Sequence, residues 1–549
     1  MIKKIFKNKF LSSKPSQSVI SAAFIITMAG IVSNLMGLFR DRLLASTFGA
    51  GDTLDVYYAA FRIPDLIYNL LILGALSAAF IPVFTSLVSN EKDEEAWELA
   101  NGVLNLAIFF IIIFSIIFAI FAPFLMKLIT PGFSPEKMAR VVLFTRIMFL
   151  SPLFLGFSGI MGGILTSFKN FLIYSIAPLL YNLGIIIGIL VFVKFMGPVG
   201  LAWGVVFGAF MHMSLQYLAA RNLGFKHQWG LWTYWKNHDV KKVMKLMLPR
   251  MTGIAISQFN LMVITVFAST LAAGSLAIFN FSQNLQSVPL SLFGISFALA
   301  AFPTLSTYAA RNEHDKYIRS FSETFRQILF FVIPASVVML VLRAQIVRVI
   351  LGAGKFDWND TILTFQSLGI FAISLFAQSI VPLLTRSFYA IHDSKTPFYV
   401  AVATEAVNIG TVLLLIHRYQ VLGLAIAFSV ASVFQMLALL FFLRMRFDSL
   451  DDRNIIKSVV KVSVASFAAG LGIQIAKNFT GNWFNLNKFL GVFSQLSVSG
   501  LVGLVIFIAA CYFLRLEEFF VFKNSLTKKL LKSRQAAVII ENTDDVSGI

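Results

Sequence analysis

Residues 251–310, MTGIAISQFNLMVITVFASTLAAGSLAIFNFSQNLQSVPLSLFGISFALAAFPTLSTYAA, run for 60 positions without one Asp, Glu, Lys or Arg. A bilayer core takes roughly 20 apolar residues per helical crossing, so this stretch has room for two spans with a turn near Ala273 and Gly274. Uncharged windows at 15–39, 66–90, 99–126, 147–168, 170–193 and 195–220 precede it. Others at 327–342, 361–385, 396–416, 419–443, 462–476 and 489–514 follow, the third interrupted by Glu405. The expected fold class is an all-α polytopic membrane protein of fourteen transmembrane helices.

Composition agrees. The 549 residues are 58% hydrophobic and only 13% charged, with 58 Phe and a mean hydropathy of +0.81. The windows are too long for barrel strands, which need about 10 residues each. The basic head (Lys3, Lys4, Lys7, Lys9, Lys14) precedes an apolar window longer than a secretion signal and without a small-residue cleavage site, so it reads as a retained anchor. Cys511 is the single cysteine, which excludes an intrachain disulfide. The net charge of +19 raises the question of nucleic acid. The positions of the 45 Lys and Arg answer it: with the amino terminus inside, inner segments carry more than twice as many as outer ones. Both termini are expected in the cytoplasm of a plasma-membrane protein, with anionic lipid and not nucleic acid beside the basic segments.

The stretch also contains half of a direct repeat. Ala268-Ser269-Thr270-Leu271-Ala272-Ala273-Gly274 echoes Ala45-Ser46-Thr47-Phe48-Gly49-Ala50-Gly51 at an offset of 223 residues. Ala300-Ala301-Phe302 echoes Ala78-Ala79-Phe80, Asn312-Glu313-His314-Asp315 echoes Asn90-Glu91-Lys92-Asp93, and Ser387-Phe388 echoes Ser167-Phe168. Six helices separate the copies, so both halves cross in the same sense, a plan typical of transporters that expose a central site alternately to each side. The organisation read from this is an N-lobe over 1–220, a basic amphipathic linker over 221–250 with Trp229, Trp232 and Trp235, a C-lobe over 251–446, two further helices over 447–515, and a cytoplasmic tail over 516–549. Pro64 and Pro82, and Pro289 and Pro303, break the second helix of each lobe, and freed carbonyls in lipid must face protein or a wet cavity.

Enzyme motifs are absent: there is no H-E-x-x-H and no G-x-S-x-G, and Gly352-Ala353-Gly354-Lys355 is not a complete phosphate loop. Asp357 and Asp360, or Asp451 and Asp452, are the acids a polyprenyl-phosphate-dependent glycosyltransferase would need. Ionisable groups within spans say more, because each costs about 3 kcal/mol at a helix centre and needs a partner or water. Arg40, Asp41 and Arg42 end the first helix, and Asp55, Arg62 and Asp65 lie on the second. Arg62 and Asp65, three apart, are placed to pair, whereas Arg40 and Asp41 project about 100° apart and are expected on different faces. Arg40 then either meets an anionic phosphate head group or pairs with Asp55. Glu405 and Asn408 form a candidate ion site, Arg386 a candidate gating contact, and His212 a packing residue.

These residues resemble a known family, the MurJ (MviN) lipid II flippases of the multidrug/oligosaccharidyl-lipid/polysaccharide exporter superfamily. The likeness lies in Ser33 to Asp41 (SNLMGLFRD), Phe48-Gly49-Ala50-Gly51 with Asp55, and Ala60-Phe61-Arg62-Ile63-Pro64. It continues through Gly74-Ala75 to Ile81-Pro82, Thr130-Pro131-Gly132-Phe133, and Ala177-Pro178 with Asn182. In the second half it covers Leu248-Pro249, Ala268-Ser269, Pro289 with Phe293-Gly294, Phe302-Pro303-Thr304-Leu305-Ser306, Gly354-Lys355-Phe356, and Phe388-Tyr389-Ala390 with Asp393.

The resemblance implies a transporter, not an enzyme, that moves an undecaprenyl-diphosphate-linked peptidoglycan precursor from the inner to the outer leaflet by alternating access, with residues 454–515 forming a groove for the lipid tail. It implies Arg40, Arg62, Asp55, Asn34, Ser33, Asn284 and Tyr68 as substrate-binding residues, and Asp41, Gly49, Gly51, Pro64, Pro289 and Arg386 as structural or gating residues. It implies no cofactor, with membrane potential or a monovalent cation as candidate energy sources, and cell-wall synthesis proteins as candidate partners. Where relatives carry cavity arginines this chain has Asn34, Tyr68 and Asn284, and Leu73 and Ile264 replace polar residues of relatives. Another lipid-linked oligosaccharide or an amphiphilic cation is the alternative cargo.

Overall fold

The computed structural model describes residues 19–73, 79–230, 234, 235, 237–524 and 527. The basic head, Gly74-Ala75, Trp232 and the tail after 527 lie outside the described residues. Within them the chain is helical and has no strand.

Charge-free apolar runs become helices because only a helix satisfies its own backbone in lipid. The first half contains α1 (Val19–Phe48), α2 (Asp52–Ala60), α3 (Arg62–Tyr68), α4 (Ile81–Ser89), α5 (Asp93–Ile120), α6 (Ala122–Ile129), α7 (Pro135–Met148), α8 (Leu150–Ser167), α9 (Phe171–Ile187), α10 (Val193–Met196) and α11 (Gly200–Asn222). The second contains α12 (His238–Ser269), α13 (Ser275–Pro289), α14 (Ser296–Ala310), α15 (His314–Val341), α16 (Arg343–Ile350), α17 (Trp358–Ala390), α18 (Lys395–Phe447), α19 (Asp452–Trp483) and α20 (Phe489–Phe513). Among the described residues, nine helical stretches are long and apolar enough to cross a membrane. Two of them, Phe171–Asn222 and Lys395–Phe447, have 52 and 53 residues and have length for two crossings each. Large apolar side chains such as Phe467, Val505 and Phe513 stay exposed on α19 and α20, as a lipid-facing surface requires.

The broken second helix of each repeat takes the same form twice. A π-helical turn, Asn69–Leu73, follows Pro64 in the first copy, and another, Leu290–Ile295, follows Pro289 in the second. A π-turn widens the backbone spiral and redirects the carbonyls that proline leaves free.

Two compact units emerge. One gathers the described chain up to Asn284 with Ile350–Ser367 and Ile409–Ala425; the other gathers Leu285–Val349, Leu368–Asn408 and the chain from Ile426. In the first, Phe80, Phe84, Leu99, Leu104, Ile160 and Ile164 form a buried core. There α9, with the π-helical turn Gly188–Phe192 that continues it, approaches α11 backbone to backbone: Gly184 and Gly188 meet Gly208 and Gly204, and a Cβ at any of them would overlap the facing backbone. In the second unit, Phe330, Val462, Ala465 and Cys511 pack together.

After α11 the chain runs without regular secondary structure through residues 225–230, beside α5. Asn101 donates to Lys226 O at 3.1 Å and accepts from Gln228 N at 2.9 Å, and Asn105 donates to Gln228 O at 2.8 Å. This places His227 against Trp229, ring centroids 4.5 Å apart, and near Phe157 and Phe225. Neither imidazole nitrogen has a hydrogen-bond partner among the described residues, and burial pushes the group below its ordinary value of 6.5. Asn237 then caps α12 by accepting from Asp239 N and Val240 N.

Candidate functional site

The first unit contains a cavity of about 420 Å³ whose wall includes Arg40, Arg62, Asp65, Tyr68 and His212, with Asn280 and Asn284 from the second repeat. Its charged groups are held in distinct ways. Arg40 donates through Nε and Nη2 to Asp41 Oδ1, at 3.1 and 2.8 Å, and through Nη1 to Asn182 Oδ1 at 3.0 Å. Asp41 is therefore not turned away from its neighbour. The long guanidinium stem folds across the 100° between adjacent helical positions and brings the fork back onto the carboxylate. The second oxygen of Asp41 accepts from Asn284 Nδ2 at 2.9 Å, which fixes the carboxylate from across the cavity wall.

Arg62 is turned onto neutral groups. Its Nε donates to Thr265 Oγ1 at 2.7 Å and its Nη2 to Asn280 Oδ1 at 3.3 Å. Among the described residues the expected pairing with Asp65 is not made as a hydrogen bond, because α12 and α13 supply oxygen acceptors on the face that Arg62 reaches; the two charges act on each other only through their fields. Tyr57, Tyr58 and Phe61 pack edge to face beside these groups, with centroids 5.0 to 5.3 Å apart, and Tyr58 meets Phe281. The Tyr58 hydroxyl is buried and has no hydrogen-bond partner. His212 Nδ1 lies 2.6 Å from Ser158 Oγ, so the imidazole is both a packing residue and part of the cavity wall.

Asp55 does not pair with Arg40. It is 2% exposed and accepts from Lys137 Nζ at 2.8 Å, Gly274 N at 2.8 Å and Ala277 N at 3.1 Å. Lys137 also reaches Asp52 at 2.7 Å and lies over the Phe133 ring. The first repeat thus supplies, through one carboxylate, the N-terminal hydrogen bonds of α13 in the second repeat.

The turns around this cluster interlock reciprocally. Gly354 seats against the Ser46 carbonyl, and Gly132, its counterpart 222 residues earlier, seats against the Ser269 carbonyl, the counterpart of Ser46. Lys355 N donates to Ser46 O at 2.9 Å, and Gly132 N donates to Ser269 Oγ at 3.2 Å. Ala50 N donates to Asp360 Oδ2 at 2.8 Å. Gly274, at φ +90°, leaves no room for a Cβ beside the Ala50 carbonyl. Gly49 is likewise left-handed, at φ +66°, while Gly51 is an extended N-cap. These segments meet because the sequence repeat gives each half the same turn and the same glycine to dock on the other half's turn. The signal available in sequence was the repeated A-S-T motif; the docking partners were not readable from it.

Of the other sequence candidates, Ser33 and Asn34 lie half-buried on α1 and are not among the residues that line this cavity. Pro64 occupies the first turn of α3 and Pro289 ends α13. Arg386 donates to Pro382 O on its own helix at 3.3 Å. Glu405 and Asn408 are buried in α18, and neither polar atom of the Asn408 amide has a hydrogen-bond partner. The loop acids hold turns: Asp357 accepts from Asp360 N at 2.7 Å, Asp451 accepts from Ser322 and Asn454, and Asp452 pairs with Arg444.

The comparisons with known proteins agree with one another. The profile of the family described as "Lipid II flippase MurJ" matches residues 44–494. A "Probable lipid II flippase MurJ" of Bdellovibrio bacteriovorus is 30% identical over 83% of this chain and 88% of its own length. One of Buchnera aphidicola from Acyrthosiphon pisum is 26% identical over 91% and 98%. Among solved structures, "Lipid II flippase MurJ, inward closed conformation" has a TM-score of 0.73 at 24% identity over 90% of this chain and 99% of that one. A multidrug resistance MATE family transporter of the MOP superfamily, in an inward-facing conformation, has a TM-score of 0.64 at 14% identity over 76% and 96%. With the profile spanning most of the chain and relatives aligned over nearly their full lengths, this chain belongs to the lipid II flippase MurJ family.

Proposed function

We propose that this protein flips lipid-linked peptidoglycan precursor, lipid II, from the inner to the outer leaflet of the plasma membrane by alternating access, as a transporter and not an enzyme. The observation that carries the reading is the presence of Arg40 and Arg62 on the wall of one 420 Å³ cavity in a chain of this family. Guanidinium forks match phosphate oxygens, and a water-poor cavity strengthens the pairing.

Asp41 serves as the placeholder for the cargo. It occupies Arg40 and is steadied by Asn284, so a diphosphate competes with a neighbouring carboxylate for the fork and binding is reversible. Tyr68 completes the polar wall; Ser33 and Asn34 are reached by cargo as it moves along α1. Asp55, Lys137 and the interlocked turns close the end that the positive-inside assignment puts outside, and release of the cargo breaks the Asp55 hydrogen bonds to Gly274 and Ala277. Residues 454–515 take the polyprenyl tail. Glu405 and Asn408 provide the site at which membrane potential or a monovalent cation is coupled, and cell-wall synthesis proteins are the expected partners.

The test is complementation. The chain is expressed in a bacterium depleted of its own lipid II flippase, beside Arg40→Ala, with membrane levels of both measured. Rescue by the parent and failure of a well-expressed Arg40→Ala is the expected result; rescue by both removes Arg40 from the mechanism. A second reading, export of another lipid-linked oligosaccharide or an amphiphilic cation, is favoured by Asn34, Tyr68 and Asn284, neutral residues at positions where the family resemblance implies cavity arginines. Direct binding of the two cargo classes to purified protein separates it from the first.

A further inference from the structure

The cavity is not simply cationic. Asp65 stands on its wall, half-buried, and among the described residues takes part in no side-chain hydrogen bond or ion pair, although Arg62 is three positions away on the same helix and Arg40 lines the same space. Counting the groups that face or directly bind these residues, Arg40 is balanced by Asp41, and Arg62 is bound to uncharged Thr265 and Asn280. The two remaining charges, the Arg62 cation and the Asp65 anion, act on each other electrostatically but share no hydrogen bond or ion pair among the described residues. A carboxylate kept in a cavity without a partner is costly unless a ligand or water answers it. Tyr58 is in the same wall, and its buried hydroxyl is a second polar group without a hydrogen-bond partner among the described residues. Tyr57, Tyr68 and Tyr181 line the cavity as well, and aromatic faces beside a carboxylate are the chemistry that receives an ammonium group.

We propose that Asp65 reads a positive charge on the cargo, so that the head group accepted here is zwitterionic: a diphosphate for the arginines and a primary amine for Asp65. The proposal rests on the flippase reading above and sharpens it by naming a second chemical feature of the substrate. A head group with diphosphate alone would meet Asp65 as a repulsive neighbour, whereas one with an amine at the other end answers the arginines and gives the Asp65 carboxylate a hydrogen-bond donor together. Asp65 is then a specificity-determining residue, which selects among diphosphate-linked cargoes and does not itself hold the diphosphate.

The experiment uses the full-length protein in lipid nanodiscs and two probes: a short-chain polyprenyl-diphosphate-linked saccharide-peptide with one free side-chain amine, and the same molecule with that amine acetylated. The wild-type protein is expected to bind the free amine about tenfold more tightly, the lower range for a charge-assisted hydrogen bond. Asp65→Asn should bring the ratio of the two affinities to about one, and Asp65→Glu should restore a preference. A ratio near one in the wild type, or an unchanged preference in Asp65→Asn, overturns the proposal. Sodium that raises the affinity for both probes equally, in the wild type but not in Asp65→Asn, assigns the carboxylate to a free cation and also overturns it. Arg62→Gln separates the two levels of inference: it should weaken both probes alike, and unchanged affinity for both would refute the diphosphate reading while leaving the amine preference measured on its own.

Discussion

Replacing Lys137 by Met removes the ammonium that joins Asp52 and Asp55 while it keeps the length of the side chain. The cost follows from its two partners. The Asp52 side chain is 54% exposed, so its pair with Lys137 is screened by water and contributes little. The Asp55 side chain is 3% exposed and cannot rehydrate in place. Breaking a buried pair on one side costs about 3 to 5 kcal/mol, because it strands the other charge. Asp55 retains two backbone donors, Gly274 N and Ala277 N, which places the loss at the lower end, about 3 kcal/mol. Lys137→Met, Asp55→Asn and the double variant are purified and unfolded in mixed micelles, and stabilities are taken from the transition midpoints. The double variant should be more stable than the sum of the single losses predicts, by at least about 1 kcal/mol, since the second change removes the stranded charge. A Lys137→Met protein within about 0.5 kcal/mol of wild type, or additive losses, would refute the claim that this pair holds α2 to α7 and the start of α13.

Gly274→Ala should reduce folded protein in the membrane sharply, because its φ of +90° disfavours any side chain and a Cβ would press on the Ala50 carbonyl; Gly500→Ala, which has open space, is the control on the same expression blot. The His227 imidazole titrates below its ordinary value of 6.5 in the folded loop. Below pH 6.5 the unfolded segment therefore takes up a proton that the folded one refuses, and stability that is complete above pH 6.5 is lost as the pH falls from there toward the lower folded value. Proteolysis at residues 225–230 should accelerate in that window, and His227→Phe should flatten the dependence.

Several residues of the candidate cavity wall were legible in the sequence, but its wiring was not. Arg40 and Arg62 stood out because charges are rare in spans, and both lie on the cavity wall. The reading that separated Arg40 from Asp41 failed because helical angles describe where side chains leave the backbone, and a guanidinium reaches far enough to return. Asp55 was visible as an intramembrane acid, yet its partner Lys137 is 82 positions away and its backbone donors lie in the other repeat. Asp65 looked paired by spacing, and only the packing of α12 and α13 shows what draws Arg62 away from it.

By itself, then, the sequence determined the all-α membrane class, the two repeats, the broken second helix in each and the charges worth watching. These depend on local composition and on periodicity, which a chain carries wherever it folds. Tertiary structure alone decided which turn docks on which, that Gly354 and Gly132 exchange contacts with Ser46 and Ser269, and that one cavity carboxylate has no hydrogen-bond partner among the described residues. Those outcomes depend on distances between segments 80 to 310 residues apart, set by the packing of helices whose own sequences do not encode their neighbours.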